Sequence, residues 1–513
     1  MTEKVLAKVD YLKPLDDLPY DTIVQQRQKY HAAVRTALAA IVGSDRVHDD
    51  PATLDRYCHD HSFEPPGRPS FVVYPEEVEQ VCAVVKKANE LRMPVVPVSS
   101  GTHEYGCALP RMGGIVVDLS GWKKIFKIDR RNRAVRIQPG VTYGELEEAL
   151  EPHGLRALFP LLPRKDQSVV TSHLEAQPKL IPEFNYSEPI YTAEIVMPTG
   201  DIFRTGTAAL APPEANRSDL IGPWGPGFDW NRLYTRAQGT LGIVTWLNIM
   251  AEPLPVRQKL YFTPTETISD AAQFIYRVQK KWIGYECFTL NRAALAMMLA
   301  EKGAEEYRSL KEHLPPYVTI FCIGGLKRFP DERIAYQEAD FLETARECNV
   351  SPHVNLPHVP RAASFFEYSM RHCWDRDVYW KDTCKGGHAD IFFITTMDKA
   401  ALFLAAFHEE ALKAHYEVAD VGIYLQPIEN GRAAHLEFIL PYDPSNSAER
   451  ARVKALHESA SEALYRCGAL YTRAYGRWAH MVNSRNAMQY ATARLVKEIL
   501  DPNNIMNPGK LGF

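Results

Sequence analysis

Apolar residues recur at helical spacing over residues 22–43, where Ile23, Tyr30, Val34, Leu38 and Ile41 share one face. From about residue 66 the period shortens. Phe71-Val-Val-Tyr74 predicts a strand. Pro75-Glu-Glu then opens a helix over about 76–92, with Val78, Val81, Val84 and Val85 on one side. Val95-Val96 predicts the next strand, followed by a polar turn, Pro97–Gly106, and the strand Ile115–Asp118. Phe126–Asp129 and Ala134–Gln138 alternate with period two. Thr142–Leu150 reads as a short helix. Tyr191–Met197 and Ile202–Thr205 read as strands joined by the turn Pro198-Thr-Gly-Asp201. Leu241–Trp246 is a last strand before the prolines near 253–256.

A second pattern begins at 257. Strands are expected at Lys259–Phe262, Tyr317–Cys322, Asp390–Thr395, Gly422–Gln426 and His435–Leu440, with helices near 268–281, 331–346, 398–414 and 447–466. That order predicts an antiparallel sheet covered by helices on one face. The tail, Ala487–Leu500, is a helix stopped by Asp501-Pro. The fold class is therefore α+β. The expected divisions are an N-terminal helical segment, 1–59, a first α+β domain, 60–256, a second, 257–465, and a C-terminal segment, 466–513, returning to the first.

Composition narrows the function classes. Of 513 residues, 46% are hydrophobic and 24% charged, which is ordinary for a globular chain with ample core. The net charge of −4 gives no case for nucleic acid or an anionic membrane surface. No apolar run reaches the roughly 18 residues a membrane span needs. Acids in Met1–Asp10 argue against a secretory leader, so the cytoplasm is expected. Nine cysteines, an odd number without a CxxC spacing, read as reduced thiols. Cys107, beside the polar turn, reads as a buried inert thiol.

The turn Pro97-Val-Ser-Ser-Gly-Thr-His-Glu-Tyr-Gly106 places small residues and glycines where a backbone must approach something closely. Backbone N–H groups of such a turn can converge on a phosphate. Its spacing is neither a P-loop nor a Rossmann fingerprint. Three further segments follow in order: Gln138-Pro-Gly-Val-Thr-Tyr-Gly144, Gly239-Thr-Leu-Gly-Ile-Val-Thr245 and Asp501-Pro-Asn-Asn-Ile-Met-Asn-Pro-Gly-Lys510.

Together these segments resemble the FAD-linked oxidases of the vanillyl-alcohol oxidase and para-cresol methylhydroxylase type. The resemblance implies a two-part FAD-binding domain and an α+β cap over the substrate. It implies FAD held by Ser99, Ser100, Gly101, Thr102, His103, Gly106, Ser168, Glu175, Gly239, Gly242, Ile243 and Lys510. His388, in Gly386-Gly-His leading into an apolar strand, matches the segment from which family members tether flavin. A neutral imidazole is a competent nucleophile for such a bond. His103 is the competing attachment point, and His59 and His61 are candidate helpers.

For substrate, the resemblance implies a phenol held as phenolate by Tyr105 and Tyr471, helped by Arg473, with hydride passing to flavin N5 by way of a quinone methide. Arg473 lies one residue later than the family arginine, which on a strand would turn it to the other face. The family carboxylate near N5 falls on Asn185, which is no base at neutral pH. Glu183 and Glu188 are the candidate replacements. The expected reaction is oxidation of a para-substituted, lignin-derived or alkylphenol-like compound, with oxygen or a cytochrome as acceptor, in a homodimer. The alternatives are an FAD-linked oxidase of 2-hydroxy acids or sugars, which would favour arginine and histidine over paired tyrosines, and a non-redox flavin-binding paralogue.

Overall fold

The computed structural model describes residues 20–183, 189–210, 222–225 and 227–513, with side chains from residue 29 onward. Its first sheet has the order β1-β2-β4-β3, from Val47–His48 (β1), Phe71–Val73 (β2), Val95–Val98 (β3) and Ile115–Asp118 (β4). β2, β3 and β4 are parallel, so each connection must cross the sheet. The helix Val78–Leu91 makes the crossover from β2 to β3 and buries Val81, Val84, Val85, Ala88 and Leu91. The helix Tyr20–Val42 packs Tyr30, Val34, Leu38 and Val42 into the same core, so the N-terminal segment is part of this layer.

The second sheet is antiparallel. It runs β5-β6-β10-β8-β9, with β7 on the end of β10: Ile125–Asp129 (β5), Ala134–Ile137 (β6), Leu155–Ala157 (β7), Ile190–Val196 (β8), Ile202–Arg204 (β9) and Ile243–Pro253 (β10). Against it lies the helix Tyr143–Leu150. A capping box fixes its start, with Thr142 and Glu145 satisfying each other's backbone N–H groups.

The third sheet begins four residues after β10 ends. Its order is β11-β13-β12-β15-β16-β14, from Arg257–Thr265 (β11), Cys287–Asn291 (β12), Tyr317–Gly325 (β13), Gly387–Thr395 (β14), Gly422–Ile428 (β15) and Ala433–Tyr442 (β16), every pair antiparallel. The sheet is covered on both faces, not on one. Tyr261, Phe321, Ile323, Leu425 and Phe438 point to helices 268–280, 330–347, 400–413 and 447–466. Leu260, Phe262, Phe288, Leu290, Ile320 and Ile439 point to helices 292–299, 304–313 and 362–369. Side chains of successive residues leave opposite faces, so a strand apolar at every position needs two covers.

This second layer is what the sequence pattern does not reveal. Arg292–Leu299 is buried all round, so it has no amphipathic stripe. β12 lies directly before it with no turn residues between. No helix among the described residues is long and apolar enough to cross a membrane.

Candidate active site

The turn after β3 borders a narrow cleft of about 110 Å³, lined among others by Pro97, Ser99, His103, Thr171, Glu175, Gly239, Gly242 and Ile243. The backbone N–H groups of Ser99 to Tyr105 make no backbone hydrogen bond among the described residues, which suits them to an anion. Hydroxyls brace the turn: Ser99 Oγ lies 2.6 Å from Thr171 Oγ1, and Ser100 Oγ donates to the Gly140 carbonyl at 2.6 Å. Thr102 is half-buried beside Gly101.

Two glycines are obligatory here for geometric reasons. Gly101 has φ +90°, and a Cβ would sit 2.7 Å from the Asp166 carbonyl oxygen and 2.8 Å from Gln167 Cα. Gly239 has φ +70°, and a Cβ would meet Pro97 Cγ at 2.7 Å. Ser168 caps the helix Val169–Leu174 and donates to the Pro139 carbonyl, so it works behind the cleft wall. Lys510 Nζ donates to the Gly106 carbonyl at 2.6 Å and pins the turn from the C-terminal side. Burial pushes the Cys107 thiol well up, which leaves it inert. A cleft of small side chains with unspent backbone donors at its rim fits an extended dinucleotide.

Beyond the cleft, the strand register gathers charge. β14 and β16 pair His388 with Pro441, Asp390 with Ile439, Phe392 with Glu437 and Ile394 with His435. Directly paired residues share a face, so His388, Asp390, Glu437 and His435 all stand on one side of the ladder. On β15, Tyr424 and Gln426 pair with Glu437 and His435 and join that side. Lys381, from the turn before β14, is buried among them. Its Nζ donates to Asp390 Oδ2 at 2.5 Å and to Glu437 Oε1. His435 Nε2 lies 3.0 Å from Glu437 Oε2. His388 Nδ1 lies 2.7 Å from Asp382 Oδ1, and its Nε2 lies 3.8 Å from Asp390 Oδ2.

The electrostatics divide these groups. Burial opposes ionisation of Glu437, but Lys381 and His435 outweigh it and hold its pKa well down. Burial raises Asp390, and its neighbour Glu437 adds to that against the pull of Lys381. Burial keeps His435 below its ordinary range despite the bond to Glu437, so its imidazole is neutral. Burial acts the same way on His388, but Asp390 and the hydrogen bond to Asp382 outweigh it and raise that pKa.

Tyr105, His435, Glu437 and Arg473 line a small polar cavity of about 60 Å³, together with Gln177, Tyr379 and Lys381. The buried Arg473 guanidinium also lies 3.7 Å above the Phe392 ring centre. A larger cavity of about 430 Å³ shares the Tyr105 wall and includes His61, Phe63, His388, Asp390 and Tyr475.

Several expectations need correction. Tyr471 is not beside Tyr105. It is buried in the cap core, donates to the Ser461 carbonyl at 2.9 Å and stacks on Trp478. The ring stacked on Tyr105, at 4.9 Å and 9°, is Tyr475. Nor does the arginine slip turn Arg473 away. Residues 471–475 form tight turns, Thr472 N–H to Leu470 and Tyr475 N–H to Arg473, rather than a strand, so alternation does not apply. Glu183 is exposed, near Glu252, and lines none of these cavities. Asn185 and Glu188 lie outside the described residues. Glu175 is half-buried at the cleft and accepts from Tyr475 Oη; desolvation of its carboxyl group raises its pKa. Asp390 and Glu437 carry a readable signal, polar residues at alternate positions of apolar strands, in His388-Ala-Asp390 and His435-Leu-Glu437; Lys381 and Tyr475, which lie in turns, carry none.

Comparison with known proteins agrees with this anatomy. Residues 69–175 match the FAD binding domain, and residues 397–511 match the C-terminal domain of FAD linked oxidases. A D-lactate dehydrogenase of Anaerostipes hadrus is 24% identical over 508 residues, covering 95% of this chain and 97% of that protein. The mitochondrial D-lactate dehydrogenase (cytochrome) of Arabidopsis thaliana is 22% identical over 454 residues, 86% of this chain and 73% of the relative. Among solved structures, p-cresol methylhydroxylase with substrate bound superposes with a TM-score of 0.81 at 19% identity, covering 94% of this chain and 96% of that one. The 4-ethylphenol oxidase of Gulosibacter chungangensis gives 0.78 at 18% identity, covering 97% and 98%. The chain has the FAD-binding fold of these enzymes, its cofactor is FAD, and it is an FAD-linked oxidoreductase.

Proposed function

We propose that the polar cavity oxidises a small 2-hydroxy acid. The observation that carries this reading is the His435–Glu437 pair facing Arg473 across a cavity of about 60 Å³. FAD, when bound, supplies the hydride acceptor, N5. Arg473 holds the substrate carboxylate by paired N–H donors. With Glu437 ionised, His435 donates Nε2–H to it and leaves Nδ1 bare as general base for the substrate hydroxyl. Taking that proton drives the α-hydrogen off as hydride. The full-length resemblance to proteins named D-lactate dehydrogenases supports the same chemistry.

A para-substituted phenol is the second reading, favoured by the Tyr105–Tyr475 stack and by the phenol oxidases among the solved structures. Against it, both tyrosine hydroxyls already donate to carboxylates, Tyr105 to Asp390 and Tyr475 to Glu175, so neither is a spare donor for a phenolate. Anaerobic mixing with lactate enantiomers, glycolate and 4-alkylphenols separates the two. Bleaching of the flavin by a hydroxy acid, slowed about 100-fold or more in His435→Gln, is the expected result. Bleaching by alkylphenols alone would reverse the order. Steady-state turnover with oxygen or with cytochrome c identifies the acceptor.

For a covalent tether, His103 is better placed than His388. It lines the cleft, and burial keeps it neutral. His388 stands between two carboxylates that favour its protonated, non-nucleophilic form. Acid precipitation of wild type, His103→Ala and His388→Ala tests this: colour that stays with the protein and is lost only in His103→Ala is expected.

A further inference from the structure

We propose that Glu437, Lys381, Asp390 and His388 carry protons from the polar cavity to the larger cavity. The chain of contacts is continuous at its inner end. His435 Nε2 is 3.0 Å from Glu437 Oε2, the other oxygen of Glu437 accepts from Lys381, and Lys381 donates to Asp390 Oδ2 at 2.5 Å. The last gap, Asp390 Oδ2 to His388 Nε2, is 3.8 Å and closes to hydrogen-bond length with a shift of under about 1 Å. His435 faces one cavity and His388 the other, so the array has an inlet and an outlet. Two neighbouring strands hold Glu437, Asp390 and His388 on one face, Lys381 reaches them from the turn before β14, and the partner of His388 Nδ1 is Asp382, fixed in turn by Arg164.

Asp390 has the anatomy of a carrier rather than of a structural counter-ion. Its Oδ1 is buried with no hydrogen-bond partner among the described residues, an arrangement that suits a carboxyl group which is transiently protonated. Burial and the neighbouring Glu437 also raise its affinity for a proton.

The steps balance. His435 imidazolium passes its Nε2 proton to Glu437. Lys381 ammonium gives a proton to Asp390 and takes the one on Glu437. His388 releases its Nε2 proton into the larger cavity and takes the one on Asp390. One proton enters, one leaves, and no electrons move. Protons would reach the inlet from a donor's hydroxyl and, with FAD bound, from the reduced cofactor.

The inference rests on the polar cavity being the place of hydride transfer, and its test uses no organic donor. The holoenzyme is photoreduced anaerobically, then mixed with ferricyanide in weak buffer containing a pH dye. Reduced flavin gives two electrons to two ferricyanides and one proton to water. In wild type, flavin colour and dye signal should recover together. In His388→Gln, colour should recover at the wild-type rate while the dye lags at least tenfold; in Lys381→Met the dye should lag behind the colour by the same factor, whatever the rate of the colour. Added imidazole should abolish the lag in His388→Gln. Lys381→Met leaves two buried carboxylates unpaired; if it does not fold, His388→Gln, on the cavity wall, decides alone. Dye and colour in step in His388→Gln would overturn the proposal. So would equal slowing of both, which marks a packing or electron-transfer defect. A failed donor screen with a lagging dye would remove the hydroxy-acid reading and leave the relay standing.

Discussion

Lys179 takes its ammonium into the interior, where among the described residues hydroxyls receive it, Tyr143 Oη at 3.3 Å and Ser172 Oγ at 3.2 Å. Burial, and then the charge of Arg473, pull its pKa down from the ordinary 10.5 to about 7. Above that pH the folded chain has released a proton that the unfolded chain keeps until about 10.5. The unfolded state therefore binds more protons across this window, so stability climbs as pH rises from 7 and is lowest below it. One proton sets a slope of at most about 1.4 kcal/mol per pH unit. Urea midpoints at pH 7, 8 and 9 should rise in wild type more steeply than in Lys179→Met; parallel slopes would mean the amine is charged throughout. The two neighbouring tyrosines give a second contrast. Tyr471→Phe loses one buried hydrogen bond and should cost about 1 kcal/mol of stability while flavin reduction is unchanged. Tyr475→Phe strips Glu175 of its donor at the cleft and should alter the flavin spectrum and slow reduction. The reverse pattern would put Tyr471 back in the site. At this scale the sequence was a partial guide. Residue types and their neighbourhood were readable, and Tyr105 and Arg473 do meet at the cavity. Which tyrosine joins them depends on tight turns at 470–475, and no side-chain pattern announces those.

Elements were more legible than residues wherever one face is wet. The helix Val78–Leu91 and the helix Ser447–Arg466 follow their apolar stripes, and the sheet strands follow their β-branched runs. Legibility fails where an element is buried all round, as in Arg292–Leu299, or where a strand is polar for a reason of chemistry. β14 and β16 belong to the second kind: polar residues at 388, 390, 435 and 437 interrupt otherwise apolar strands because that end of the sheet face makes the site. The glycine of the turn after β3 marks it as a backbone cradle. The structure adds that the neighbouring chain at 166–167, as much as any ligand, excludes a side chain at Gly101. Gly101→Val should therefore displace the 166–168 segment as well as the turn. Purified protein should carry less than a tenth of the wild-type flavin, and supplying excess FAD should not restore it. Full flavin content in that variant would place the phosphates on another loop.

At the scale of the molecule, the last dozen residues close the first domain. Met506 bridges to Val95, the first residue of β3. Asn507 N–H donates to the Val95 carbonyl at 2.8 Å, and its side-chain amide donates to the carbonyls of Cys107 and Gln238 at 2.8 and 2.7 Å. Lys510 holds Gly106, and Lys497 reaches Thr240 and Met506. The tail thus ties the polar turn on one side of the cleft to the Gln238–Thr240 loop on the other, joining segments some 130 residues apart. The cap keeps its own two cores around β11–β16, and most of their members come from 257–465. Deleting Ile505–Phe513 should therefore separate cofactor binding from cap folding. The three side-chain hydrogen bonds this segment gives to the loops flanking the cleft, from Asn507 to Cys107 and Gln238 and from Lys510 to Gly106, at about 1 kcal/mol each, amount to a roughly 150-fold larger FAD dissociation constant. Hydrogen exchange in β12, β13 and β15 should stay at wild-type protection while exchange in β3 and the turn after it rises. Unchanged FAD affinity would show that the clamp is dispensable; loss of protection throughout β11–β16 would show that the two domains fold as one cooperative unit.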